Sequence, residues 1–444
     1  MYRAKSVSSI SKIAAAGIPL DRARVDRLIE NGPKLKLKVI KSFLEETGLP
    51  FWVWDKKEEK WVEKYEAFHT YVVKQGLHET WPLTRSKMFN RSDDVLSEYK
   101  HDPVIKKYKK TKKMLSDLKR VTAPPGKDNR TFRWYMTLEK GTTYDVYRQH
   151  PYYAAYQTVT SRNGQSNKSC VFQADKWMRS LIRPPEGKAL ISVDFKSQEF
   201  WIAAALSGDT NMLRDYLSGD IYMAYGINKG GLPADATSET HPKERKVYKK
   251  IVLMMQFMGG IGGIQGALGC SIEKAKEHFY GHKEYYHVFW SWVDNFLRNH
   301  SENGVSYAKD GHFICNNRCA VPVGRYKVGD LFTTTTANWP IQTTGQVILR
   351  VATMLCELAG LKVVALVHDQ LVFEVGQNKI EETCALIEKV LNEACKRVFP
   401  NMPPCGLDFE ILRSNEVWTE PDAAMSLAWL QEYLQLPIDM PMSN

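Results

Sequence analysis

Residues 21–48 read as a helix with apolar positions at Val25, Leu28, Ile29, Leu35, Leu37, Val39, Ile40 and Phe43. Pro33 lies inside the run and predicts a kink or a division there. Residues 49–65 read as a short strand or turn followed by a charged helix. Residues 104–120 predict a helix with Ile105, Tyr108, Met114, Leu115 and Leu118 on one face and lysines over the rest. Taken by itself, that lysine run reads as a solvated face.

Further along, 121–130 and 161–169 carry loop composition, and 131–149 alternates enough to hold strands. ALISVDF (189–195) predicts a buried strand leading into the helical run FWIAAALSG. Residues 242–258 predict a helix ended by Gly259, Gly260, Gly262 and Gly263. VVALVHDQLVFEV (363–375) predicts two short strands around a turn at His368-Asp369, and a helix follows at 379–397. The N-terminal MYRAKSVSSISKIAAAGIPL could be read as a targeting peptide; it is read as an ordinary first helix, punctuated at Gly17 before the next. With no internal repeat or low-complexity linker, the lobes are expected to pack as one unit.

Composition narrows the classes. The 444 residues are 43% hydrophobic and 25% charged, which supports a real core. The net charge of +11 favours a polyanionic partner such as nucleic acid, with a solvated basic surface as the plain alternative. Eight cysteines include no CxxC pair, which argues against structural zinc, and scattered thiols suit a reducing compartment. No run of 18 apolar residues predicts a membrane span.

Two aspartates stand out. Asp194 closes the apolar strand Leu190-Ile191-Ser192-Val193, and Asp369 sits in the turn between two apolar strands. A carboxylate at a buried strand end is costly unless paired or bound to metal. Either alone reads as a turn former or cap, whereas the pair suggests a divalent-ion site. The helix at 242–258 adds context. Arg245, Lys249, Leu253 and Phe257 recur every four residues, about 18 Å from first to last along one slowly drifting face. Cations near a helix N-terminus, then an apolar residue and a ring, suit a nucleotide laid along the helix. An amphipathic core helix with solvated cations is the plain alternative.

Together these pieces resemble the family-A DNA polymerases. The first family motif, Asp-Tyr-Ser-Gln-Ile-Glu, is met by Asp194-Phe195-Lys196-Ser197-Gln198-Glu199, followed by Leu206-Ser207-Gly208-Asp209 and Gly219-Asp220-Ile221-Tyr222. The second, Arg-x3-Lys-x3-Phe-x3-Tyr-Gly, is met by Arg245, Lys249, Leu253 and Phe257. The third, Val-His-Asp-Glu, is met by Val367-His368-Asp369-Gln370, and the intervening Asn-x-Pro-x-Gln by Asn338-Trp339-Pro340-Ile341-Gln342. Thr160-Ser161-Arg162 resembles the family's Thr-Gly-Arg, Arg183-Pro184-Pro185-Glu186-Gly187 fills the stretch before the first motif, and Asn415-Glu416-Val417-Trp418 resembles the closing segment. The match is good over about 160–420 and weaker over 15–120.

The resemblance implies an α+β (mixed) fold of right-hand architecture with a thumb, a palm on an antiparallel sheet, and helical fingers. The expected division is a thumb-like region over 1–130, palm over 131–210, fingers over 211–300, and the rest of fingers and palm over 301–444. It implies dNTP-dependent primer extension with two Mg²⁺, Mn²⁺ able to substitute, held by Asp194, Asp369 and the Phe195 carbonyl. Arg245 and Lys249 would hold the triphosphate, with Lys249 protonating the leaving group. Leu253 would lie along the nucleotide, Phe257 would pack near the templating step, and Glu199 would disfavour a 2′-hydroxyl. Arg162, Asn338, Gln342 and His368 would contact primer–template DNA, and Lys106, Lys107, Lys109 and Lys110 would grip duplex backbone.

A thumb-like start near Met1 leads to an expectation of no 3′–5′ exonuclease, leaving that or a processivity factor to a separate partner. The expected setting is a monomer in the cytoplasm of a bacterial or phage-infected cell, with an organellar one left open. The departures are Leu253 for Phe or Tyr, Phe257 for Tyr, Met258 interrupting Tyr-Gly, and Gln370 for Glu. A single-subunit RNA polymerase shares the aspartates and the lysine helix, but Glu199 and the Asn338/Gln342 segment favour DNA synthesis. A non-catalytic DNA-binding paralogue should have lost an aspartate or a helix cation, and none is lost. A pure nuclease has no use for a triphosphate-gripping helix.

Overall fold

The structure, a computed structural model, describes residues 2–57, 59–124, 131–166, 169–315 and 333–420. Helix outweighs strand throughout, and the mixed fold class holds. The chain, expected to pack as one unit, divides into two compact units of interleaved segments. The first comprises Met1–Ala16, Tyr153–Gly164 and Ala189–Ile411; the second comprises Gly17–Tyr152, Gln165–Lys188 and the C-terminal remainder. Residues 1–16 of the region expected to be thumb-like therefore belong to the first unit.

In the second unit, strand Ile18–Asp21 pairs antiparallel with Val146–Gln149, which also pairs with Met136–Glu139. Asp21 caps the helix Arg22–Thr47 by accepting the Arg24 N–H at 3.1 Å, and left-handed Gly48 ends it. Pro33 neither divides nor ends this helix. One residue earlier, Gly32 lies so close to Thr122 that a Cβ would meet it at 2.5 Å, which presses this helix onto Pro103–Thr122. In Pro103–Thr122, Ile105, Tyr108 and Leu118 are buried as expected, whereas Met114 and Leu115 are only half-buried. Asp102 caps it at the Ile105 N–H.

The charged helix expected within 49–65 is instead a hairpin of Trp52–Asp55 and Lys60–Glu63. The reason is cross-strand pairing. Val53 faces Val62 and Trp54 faces Trp61, the two indoles at 5.9 Å, and such pairs favour strand over the helix propensity of the lysines and glutamates between them. Of the loop expected at 121–130, residues 121 and 122 continue the helix, and 125–130 lie outside the described residues. Lys106 and Lys110 are exposed on that helix, while Lys107 pairs with Glu46 and Lys109 with Asp93.

The first unit is built on a four-stranded sheet in the order Val363–Val367, Gln370–Gly376, Lys188–Phe195, Leu407–Arg413. The central strand buries Ala189 to Val193 without a break, as a strand covered on both faces must. Helix Gln198–Ser207 follows, and its near-uniform apolarity matches burial all around. Helix Thr333–Leu358 packs against it so tightly that a Cβ on Gly345 would meet Gln198 Oε1 at 2.8 Å. None of the described helices is long and apolar enough to cross a membrane.

Helix Pro242–Gln256 ends differently from expectation. Met258 takes the left-handed conformation (φ 60°), the Met258 N–H reaches Met255 O, and the Gly259 N–H reaches Met254 O at 2.7 Å. That is the bond pattern usually closed by a left-handed glycine. Gly262 and Gly263 lie inside the next helix, Ile261–Leu268, rather than in the terminator. Gly259 is required for a different reason: a Cβ there would sit 2.3 Å from Met254 Cγ and 2.8 Å from its carbonyl oxygen. Gly259→Ala should overpack this corner by roughly 1–2 kcal/mol and lower the melting temperature by about 4 °C. An unchanged thermal unfolding curve would contradict this account of the helix end.

Candidate active site

Neighbouring strands bring Asp194 and Asp369 together. Asp194 is the penultimate residue of the central strand. Asp369 occupies the two-residue turn between Val367 and Gln370, which pair directly. His368, beside it, has a φ of 58°, and such left-handed residues are what tight hairpin turns need. Asp194 remains open to solvent, yet the protein around it strips enough water to push its carboxyl up to about 7. The Asp369 charge adds to that shift, and the charges of Asp408 and Glu410 add less. Asp369 is also raised, by burial.

Glu199 opens the helix that follows the central strand. Burial raises its carboxyl, and Arg162, donating from Nη2 at 2.9 Å, works against that rise. Asp369 contributes to the same field. The Arg162 Nε is buried with no partner, so one donor on this guanidinium is uncommitted.

The 242–256 helix presents the expected face. It buries Tyr248, Ile251, Val252 and Met255, which leaves Arg245 and Leu253 half-exposed and Lys249 and Phe257 exposed on the other side. Two residues that the motif run included without a role, Asp220 and Tyr222, organise it. Asp220 accepts from Arg245 Nε at 2.5 Å, and the Tyr222 ring lies 5.3 Å from the Arg245 guanidinium and 5.7 Å from Lys249 Nζ. Burial pushes the Tyr222 phenol up, and the neighbouring Ser197, three residues after Asp194, works against that rise. The cationic helix face thereby lies near the turn that follows the strand carrying the first aspartate.

Asn338 and Gln342 project from the Thr333–Leu358 helix, both half-buried and one turn apart. Asn338 donates to Thr334 O at 3.0 Å. Gln370, where the resemblance expects Glu, donates from Nε2 to the buried Ser192 hydroxyl at 2.7 Å and so joins the two aspartate-bearing strands. Asp408 and Glu410 were missed by motif reasoning. They sit two apart on the edge strand Leu407–Arg413, and the alternation in LDFEIL was the available signal. Asp408 pairs with Lys196 at 3.0 Å. Lys106, Lys107, Lys109 and Lys110 belong to the other unit.

The donor set suits a hard divalent cation. Carboxylate oxygens that burial and mutual repulsion make reluctant to ionise gain most from an ion that neutralises them. Among the described residues no cluster of three or more His, Cys, Asp or Glu forms a preorganised metal cage, so the pair would need backbone, water or substrate oxygens as well. Because the folded Asp194 value is raised, its favourable contribution to stability is present at low pH and is lost as pH rises through about 7. Without divalent ions, Asp194→Asn should raise the melting temperature by about 2 °C at pH 8, and the gain should narrow as pH falls from 7 towards 4. A pH-independent difference in thermal unfolding, or a loss at pH 8, would contradict the electrostatic account.

Comparison with known proteins places this geometry. The model of DNA polymerase family A matches residues 79–403, well over half of the chain. A DNA polymerase I of Aquifex aeolicus is 24% identical over 93% of this chain and 66% of its own length. A DNA polymerase of Mycobacterium phage D29 is 27% identical over 45% of this chain and 31% of its own. The chain thus spans less than two thirds of the length of these curated relatives. Among solved structures, the POL domain of Pol1 from M. smegmatis, in complex with DNA primer-template and dNTP, matches with a TM-score of 0.67 at 16% identity, covering 93% of this chain and 69% of that one. The chain belongs to family A of the DNA polymerases.

Proposed function

We propose that this chain is a template-directed DNA polymerase that extends a primer with dNTPs. The observation that carries this reading is the setting of Tyr222, whose ring lies against two cations and which neighbours Ser197, two residues past the end of the strand bearing the first of two aspartates that burial and repulsion disfavour as anions. An anion-gripping face next to a cation-demanding carboxylate pair suits a triphosphate that arrives with divalent ions. In this reading the basic-helix region serves as thumb, the aspartate-bearing sheet as palm and the 242–256 helix as fingers.

The primer 3′-hydroxyl would attack the α-phosphate of the incoming dNTP, forming the new phosphodiester as the bond to pyrophosphate breaks. Asp194, Asp369 and the Phe195 carbonyl are the groups to hold two Mg²⁺ ions, or Mn²⁺ in their place. When bound, such ions make the attacking hydroxyl more acidic and neutralise charge on the leaving oxygen. Arg245 and Lys249 would hold the β- and γ-phosphates, and Lys249, the more exposed of the two, would deliver a proton to pyrophosphate. Glu199, fixed by Arg162, would fill the space beside the sugar where a 2′-hydroxyl would fall. Arg162, Asn338, Gln342 and His368 would meet the primer terminus, with sequence read by base pairing. Lys106 and Lys110, exposed on their helix, are better placed to meet duplex phosphates than the ion-paired Lys107 and Lys109.

Primer extension on a DNA template with Mg²⁺ tests the reading. Asp194→Asn and Asp369→Asn should each slow extension by about a thousandfold or more while leaving duplex binding within a fewfold of the unmodified protein. Synthesis surviving in either variant, or equal use of NTPs and dNTPs, would overturn it. A 3′-mismatched labelled primer in the same assay tests the expectation of synthesis without terminal excision.

A further inference from the structure

The segment that presents Arg162 is held in an unusual way. Ser161 is wholly buried and takes a left-handed conformation (φ 59°) at the position where the Thr-Gly-Arg pattern has glycine. A residue with a Cβ adopts that conformation only at a cost, so surrounding contacts must hold it. Those contacts come from the helix Thr333–Leu358. Arg350 donates from Nη1 to Ser161 O and from Nη2 to Ser161 Oγ, both at 3.2 Å. Its Nη2 also reaches Asp310 Oδ2 at 2.6 Å, with both side chains about 95% buried, and its guanidinium lies 4.9 Å from the Tyr156 ring. Trp339, about three turns earlier and on nearly the same helix face, donates from Nε1 to Val159 O at 2.9 Å. One helix therefore both carries Asn338 and Gln342 and clamps the turn that aims Arg162 at Glu199.

We infer that Arg350, braced by Asp310, is a positioning residue for primer–template engagement: it locks Ser161 in a glycine-like conformation and so fixes where Arg162 points. The inference deepens the polymerase reading and rests on it for its kinetic consequence. Its structural part stands alone. An Arg planar fork reaches Ser161 and Asp310 at once, and a lysine ammonium can satisfy Asp310 but not both.

Arg350→Lys keeps the buried charge compensated and is the variant of choice, with Ser161→Gly/Arg350→Lys as its partner. Thermal unfolding of both checks that they fold. In Arg350→Lys, amide hydrogen exchange over 158–162 should accelerate by about tenfold, and KM for primer–template should rise about fivefold with kcat within twofold. Adding Ser161→Gly should return both quantities to within about twofold of the parent, since glycine needs no clamp to hold a positive φ. Unchanged exchange at 158–162 in Arg350→Lys, or a defect that Ser161→Gly leaves in place, would overturn the inference whatever the activity. If the parent protein makes no DNA, the polymerase reading fails while the exchange measurement still decides the clamp.

Discussion

Two carboxylates, one near the end of a buried strand and one in the turn that opens its neighbour, repel each other, and burial makes each harder to ionise. Much of the first unit can be read as the scaffold that enforces this arrangement. The central strand is buried without interruption up to Val193, so Asp194 cannot retreat, and the two-residue turn leaves Asp369 no freedom to move along its strand. Gln370, tied to Ser192, adds a neutral strap between the strands. Glutamate at that position would add a further negative charge to a site that Asp408 and Glu410 already make acidic.

The cationic helix is the counterpart of that pair. Arg245 is steadied by Asp220 and lies over Tyr222, while Lys249 stays exposed over the same ring. One tyrosine thus serves as floor for both cations and neighbours Ser197, just past the aspartate strand. Departures from the family pattern at two glycine positions are absorbed locally. Met258 and Ser161 each take the left-handed conformation, the first within its helix-end hydrogen bonds and the second under the Arg350 clamp.

The aspartate strands, the cationic helix and the turn at His368-Asp369 were legible because each couples a strong periodicity to a motif. The hairpin at 52–63 was not, because its charged residues mask a pairing that only cross-strand neighbours reveal. The helix end at Met258 was misjudged because four nearby glycines signal a terminator while the left-handed residue is a methionine. Asp220, Tyr222, Arg350 and Asp310 were invisible as site residues for a further reason. Their roles consist of contacts with residues distant in sequence, which spacing cannot carry.

Calorimetric titration of Mn²⁺ into the protein in two buffers of different protonation enthalpy, at pH 6.5, tests the carboxylate pair most directly. The account predicts divalent binding coupled to release of an appreciable fraction of a proton, with both binding and release sharply weakened in Asp194→Asn and in Asp369→Asn. Binding of equal strength in those variants, or binding with no linked proton, would contradict it.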